Sequence, residues 1–196
     1  MVVDASRCTV FFMAYPAKTD RDSILSAALE QVECEGVENL AIRSVAAKLG
    51  LAPNAIYRYF ENLAALKSAV AEEAYLRMLG AMQTAAGRKE PVAAVRAFSE
   101  AYLRFAHQQP RVFALYLTTP GGDLESPQCA RNSEFFWERV GRIYPEKRAR
   151  EASLTLWALL HGLAVLREAG VLTEKQSGNS LNFGLQMWID AAALTK

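Results

Sequence analysis

The sequence lacks an excess of charge of either sign. Its 22 Lys and Arg offset 21 Asp and Glu, leaving a formal net charge of +1. A chain coated in positive charge is excluded, so any contact with nucleic acid must come from a local patch. So small a charge also favours self-association over repulsion. Cysteine is scarce: Cys8, Cys34 and Cys129 lie far apart, with no C-x-x-C spacing for a metal or redox motif. They read as idle thiols of a reducing compartment. His107 and His161 are equally isolated, so no metal site is expected. The longest stretch without Asp, Glu, Lys or Arg runs from Ala152 to Leu166, 15 residues. A bilayer needs roughly 20, so this stretch reads as a buried core helix and no membrane partner is expected. The apolar segment from Val10 to Tyr15 is too short for a signal peptide, and Asp4 spoils the basic start. The expected location is the cytoplasm. No nucleophile–base spacing, glycine-rich phosphate loop or carboxylate pair stands out. Neither an enzyme nor a cofactor is expected.

What is present is helical period. Residues 1–18 show none and read as a disordered tail, in which Met13 offers a second start of translation. From Asp20 the chain turns helical: Ile24, Leu25, Ala28, Leu29 and Val32 share a face, and Gly36 stops the run. A short helix follows with Ile42, Val45, Ala46 and Leu49 on one face, closed by Gly50. Pro53 suits the first turn of a third helix, expected to carry the chain to Phe60. Asn62 offers an N-cap for a long fourth helix to about Ala86. Pro91 and Pro110 open two more, ending near Gln109 and Leu117. Thr118 to Pro127 is the clearest loop, and helices are expected over about 128–143, 146–169 and 178–194. No strand, repeat or low-complexity segment appears.

Residues 42–60 read as helix, glycine-containing turn, helix. Ala46 lets two helices cross closely, Gly50 tolerates the left-handed turn, and Ile56 and Phe60 give the second helix one buried face. Asn54, Ala55, Arg58 and Tyr59 are left to face outward. That is the logic of a helix-turn-helix, whose second helix enters the major groove of DNA. Residues 39–67 carry Arg43, Lys48, Arg58 and Lys67 against Glu61 alone, while residues 20–38 carry Arg21 against six acids. The neutral total therefore hides a polarised one. Tyr57 and Tyr59 flank Arg58, and Asn54 suits an adenine edge.

The block from Ile24 to Phe60, the run Tyr57-Arg58-Tyr59-Phe60 and the long helix after it resemble the DNA-binding domain of the TetR family of transcriptional regulators. The resemblance covers about residues 20–70. It rests on Ile24 and Ala28, Gly36, Val45-Ala46 and Gly50, then Ile56-Tyr57 and Phe60. It implies an all-α chain: a three-helix DNA-binding domain, then a larger helical domain that binds a small ligand and dimerises. The expected division is tail 1–18, helix-turn-helix domain 19–66 and helical domain 67–196. By position, Arg43, Ser44, Pro53, Asn54, Ala55, Tyr57, Arg58 and Tyr59 would lie at or near DNA. Three residues depart from the family's pattern. Ala41 and Ala52 stand where a threonine and a serine often cap the second and third helices, and Leu63 where a lysine usually reaches phosphate. Each lost cap costs about 1 kcal/mol, and a lost phosphate contact flattens the salt dependence by about one unit of slope.

In the C-terminal half, Phe98, Tyr102 and Phe105 recur on one helix, Phe113 and Tyr116 on the next, and Phe135, Phe136 and Trp137 later. Most read as core. Phe98, Tyr102, Phe105, Phe113, Tyr116, Phe136, Trp157 and His161 are the candidates to line an apolar pocket between helices. The stretch from Trp157 to Leu163 is similar to a Trp…His-Gly signature of one C-terminal subgroup of these regulators. His161 reads as a satisfied core histidine or as a ligand donor. Leu154, Trp157, Leu160, Leu163 and Ala164, with Leu181, Phe183, Leu185, Trp188 and Ile189, suit a four-helix dimer interface. The expected function is a homodimeric repressor on a palindromic operator, released by a small apolar or aromatic effector. The alternative is a helical small-molecule-binding or interaction protein with weakened DNA binding.

Overall fold

The computed structural model describes residues 19–118 and 127–194, with side chains at 19–115 and 134–194. The expected tail, most of the Thr118–Pro127 loop, Cys8 and the side chains of Tyr116 and Cys129 lie outside the described residues. Among those residues the chain is helical throughout and has no strand.

Helix α1 spans Arg21–Glu35, and a 3₁₀ turn at Val37–Asn39 leads to α2 (Ile42–Lys48) and α3 (Pro53–Tyr57). Helix α4 (Leu63–Ala86) leaves this group and joins the bundle of α5 (Pro91–Gln108), α6 (Pro110–Thr118), α7 (Pro127–Gly141), α8 (Glu146–Glu168) and α9 (Glu174–Leu194). Helix α4 packs on α1 and also on α5, α6 and α7. Its apolar face runs through one continuous core, from Leu66 and Val70 beside the first three helices to Met78, Leu79 and Met82 in the bundle, a cluster that includes Ile24, Val32, Val45, Ile56, Phe98, Tyr102 and Leu160.

Two expected boundaries shift. Helix α3 stops at Tyr57 rather than Phe60, because the N–H groups of Tyr59 and Phe60 both turn back to Ile56 O, at 2.9 and 3.1 Å. Helix α9 begins at Glu174, four residues before the expected 178. Thr173 and Gln176 form a capping box: Thr173 Oγ1 accepts from Gln176 N–H at 3.2 Å, and Gln176 Oε1 accepts from Thr173 N–H at 2.9 Å. Gly178 simply sits inside the helix.

The expected dimer face also needs correction. Leu160, Leu163, Ala164, Leu181, Leu185 and Trp188 are buried inside the chain's own core. They hold α8 against α9, which cross closely at Gly184, where an added Cβ would lie 2.8 Å from Leu159. Leu154, Trp157 and Phe183 of the expected set stay exposed, Phe183 by 70%, and the outward apolar residues further include Ala158, Val165 and Leu166 on α8 with Met187 and Leu194 on α9.

Candidate nucleic-acid interface and ligand cavity

The bend between α2 and α3 is a Schellman turn. Leu51 N–H donates to Ala46 O at 2.9 Å, and Gly50 N–H to Ala47 O at 3.1 Å. Gly50 sits at φ 68°, where a Cβ would strain the backbone. Val45, Ala46, Ile56 and Phe60 are buried beneath the turn, with Leu49 half-buried at its edge. The opposite surface presents Arg43, Ser44, Asn54, Tyr57 and Arg58, all exposed, and half-buried Pro53 and Ala55. Tyr57 is 51% exposed, an unusual state for an aromatic ring without a partner surface.

Tyr59 is 40% exposed, and its hydroxyl donates to Thr19 O at 2.7 Å, fastening the end of the reading element to the start of α1. Arg21 lies over the Phe60 ring, 5.4 Å from its centroid, and adds a second fastening. The caps are unevenly shared. Asp20 accepts from Ser23 N–H at 2.8 Å and Asn62 from Ala65 N–H at 2.9 Å, so α1 and α4 are capped. The Ser23 hydrogen bond holds the Asp20 carboxyl below its usual range. Helices α2 and α3 start at Ala41 and Ala52 with no side-chain cap.

The electrostatics are narrower than the sequence count suggests. Lys48 is paired with Glu30 of α1 at 2.5 Å, so it serves the fold. Arg43 and Arg58 are exposed and form no ion pair with a described residue. The acidity of residues 20–38 is equally structural. Asp20 caps α1, Glu30 holds Lys48, and Glu35 accepts from Gln31 at 2.9 Å. Glu33 reaches α6, where its carboxylate accepts from Val112 N–H at 3.1 Å. In return Arg111 of α6 donates to the carbonyls of Glu33 and Cys34 at the end of α1. A carboxylate thus meets a helix N-terminus and a guanidinium meets a helix C-terminus, both favourable to the helix dipoles. This clasp joins the reading end to the bundle.

Inside the bundle lies a cavity of about 170 Å³. Helix α4 supplies Tyr75, Met78, Leu79 and Met82; α5 supplies Tyr102; α7 supplies Phe136 and Trp137; α8 supplies Leu154, Trp157 and Leu160. None of these side chains is charged. Of the residues expected to line a pocket, Tyr102, Phe136 and Trp157 do so directly. Phe98, Phe113 and His161 form the ring shell behind them. Phe98 lies 5.2 Å from Phe136, Phe113 lies 5.6 Å from Tyr102, and His161 stacks on Trp157 at 5.4 Å. Phe105 faces a different cleft, beside Arg77 and Arg104. Tyr102 Oη lies 3.2 Å from His161 Nδ1, and burial pushes the imidazole pKa below its ordinary 6.5. The histidine is therefore uncharged at neutral pH and hydrogen-bonded behind the wall. The sequence reading missed the α4 wall, although Tyr75, Met78, Leu79 and Met82 stand at i, i+3, i+4 and i+7, the spacing of one helix face.

Known proteins match both halves. The model described as bacterial regulatory proteins of the tetR family matches residues 24–70, and the tetracyclin repressor-like C-terminal domain matches residues 95–186. An HTH-type transcriptional regulator of Mycobacterium tuberculosis is 28% identical over 169 residues, 83% of this chain and 76% of that protein. Another from Haemophilus influenzae is 28% identical over 116 residues, 58% of this chain and 57% of its own length. Among solved structures, a protein of unknown function from Rhodococcus sp. RHA1 shares the fold with a TM-score of 0.75 at 24% identity. That match covers 91% of this chain and 98% of the other. A single-residue variant of TetR from Acinetobacter baumannii AYE, solved in complex with minocycline, gives 0.67 at 21% identity, covering 91% of this chain and 99% of its own. With a helix-turn-helix at one end and a ligand-binding helical domain at the other, the chain belongs to the TetR family of transcriptional regulators.

Proposed function

We propose that the chain is a homodimeric repressor that leaves a palindromic operator when an apolar or aromatic effector enters the α4–α8 cavity. The single observation that carries the reading is that cavity, aromatic-walled and without a charged lining side chain among the described residues, joined to the reading end by α4 and the α1–α6 clasp. An effector acts only to the extent that it binds the released state better than the DNA-bound one. The minocycline complex of the structural relative supports a ring-bearing effector. Arg43, Ser44, Asn54, Tyr57 and Arg58 face the DNA, with Pro53 and Ala55 at the close approach and Tyr59 bracing the element. The boundary between a DNA-binding domain at 19–66 and a ligand domain at 67–196 falls within α4. The exposed stripe on α8 and α9 is the dimer face, giving a four-helix interface whose two-fold axis sets the half-site spacing. The working compartment is the cytoplasm.

Genomic fragments bound at two salt concentrations test the reading. Sequence-selective retention at physiological salt is expected; no retention even at low salt overturns it. One observation favours a second reading, an interaction protein with weakened DNA binding. The recognition helix and the helix before it start without caps at Ala52 and Ala41. The same assay decides between the two.

A further inference from the structure

We infer that the effector is amphipathic, with a ring-sized apolar end in the inner cavity and a polar end in the cleft between α7 and α8. The inference rests on the ligand-binding reading above and adds the effector's shape and polarity. A cavity of about 170 Å³ is close to the roughly 150 Å³ that an engineered apolar cavity uses to hold one benzene. Sites for larger small molecules occupy roughly 300–1,000 Å³. The inner cavity therefore takes one ring or its equivalent and no more.

A second space adjoins it. A cleft of about 490 Å³ is lined by Trp137, Glu146, Ala149, Arg150 and Leu154. Trp137 and Leu154 line the inner cavity too, so these two side chains stand between the spaces. Both are apolar yet 41% and 48% exposed, as expected of a doorway that a ligand fills.

The chemistry changes across that doorway. Inside, among the described residues, the polar groups are the hydroxyls of Tyr75 and Tyr102 and the indole N–H groups of Trp137 and Trp157, none of them charged. Outside, Glu146 and Arg150 sit one turn apart on α8, exposed, and neither forms an ion pair with a described residue. An apolar molecule long enough to pass Trp137 would end against two charged groups and water. A polar head ends there at no such cost.

A graded probe series tests this on the full-length protein carrying 5-fluorotryptophan. The chain has three tryptophans, of which Trp137 and Trp157 line the cavity and Trp188 lies between α8 and α9. Ethylbenzene, which fits the inner cavity alone, is expected to shift the fluorine signals of Trp137 and Trp157 and leave Trp188 in place. 6-Phenyl-1-hexanol is expected to bind at least ~10-fold tighter, since several methylenes become covered. Its gain should vanish in Ala149→Trp, which fills the outer cleft, while ethylbenzene binding stays within about twofold. Tighter binding of the alcohol that survives Ala149→Trp, or no gain over ethylbenzene, overturns the inference and leaves the ligand-binding reading standing. If neither probe moves Trp137 or Trp157, that reading itself is overturned.

Discussion

Tyrosine and phenylalanine do opposite work at the two ends of this chain. At the reading end Tyr57 stands in solvent above a small core of Ile56, Val45 and Ala46. In the bundle Phe98 and Tyr102 are wholly covered and bound to other rings. The reading end buries Ile24, Leu25, Val32, Val45, Ile56 and Phe60 and adds polar fastenings: Tyr59 to Thr19, Lys48 to Glu30, Asn62 on α4. The bundle keeps part of its apolar surface around a cavity. One end is thus built to present side chains, the other to enclose.

The sharpest way to break this comparison is to remove a ring from each end. Phe98→Ala should cost about 3–5 kcal/mol in denaturant unfolding, whereas Tyr57→Ala should change stability by less than about 0.5 kcal/mol and weaken retention of DNA. Equal losses would mean that the exposed ring is structural after all. Arg58→Ala should cost about 1–3 kcal/mol of DNA affinity if Arg58 reads a base, or reduce the salt slope by about one if it meets a phosphate. Either way the dimer mass should not change. Dissolution of the dimer by this substitution would place the division of labour elsewhere.

A smaller effect should come from restoring the missing caps. Ala41→Thr and Ala52→Ser should each raise stability by about 1 kcal/mol, read from thermal unfolding. The gain belongs to the reading end alone, so cavity binding should be untouched.

The smallest effect is a pH slope. Burial lowers the His161 pKa below 6.5, so between that lowered value and 6.5 the unfolded chain holds more protons than the folded one. Stability contributed at neutral pH is therefore lost as pH falls below 6.5. His161→Asn should flatten the fall between pH 7.5 and 5.5, measured as the change in Tm. A steeper fall would show that His161 gains, rather than loses, its charge in the fold.

Most of the helices were legible because their ends carry chemistry: Asp20, Asn62, Pro53, Pro91 and Pro110 start them where expected. The start of α9 was written in Thr173 and Gln176, whose capping box places it four residues before the expected 178. Which side chains of α3 would be exposed was legible because the pattern is local. Ile56 and Phe60 point inward, and the intervening positions have nowhere else to face. The cavity was only half legible. Phe105 and Tyr102 share a helix and are both aromatic, yet face different clefts, since a few tens of degrees on a helix decide the neighbour. Which apolar stripe of α8 and α9 would be used internally was hidden for the same reason: both helices are apolar on more than one face. The pairing of Lys48 with Glu30 depends on a contact between helices that no spacing rule within one helix foretells.

Helix α1 has 15 residues, so it is a rod about 22 Å long at 1.5 Å per residue. Arg111 grips one end of it and Tyr59 hangs from the chain just before the other. As a lever, a rod of that length turns a tilt of about 3° at the bundle into a displacement of roughly 1 Å beside the recognition helix. The acidic stretch that looked like a counterweight to a basic reading element is, mechanically, the arm on which that element is carried.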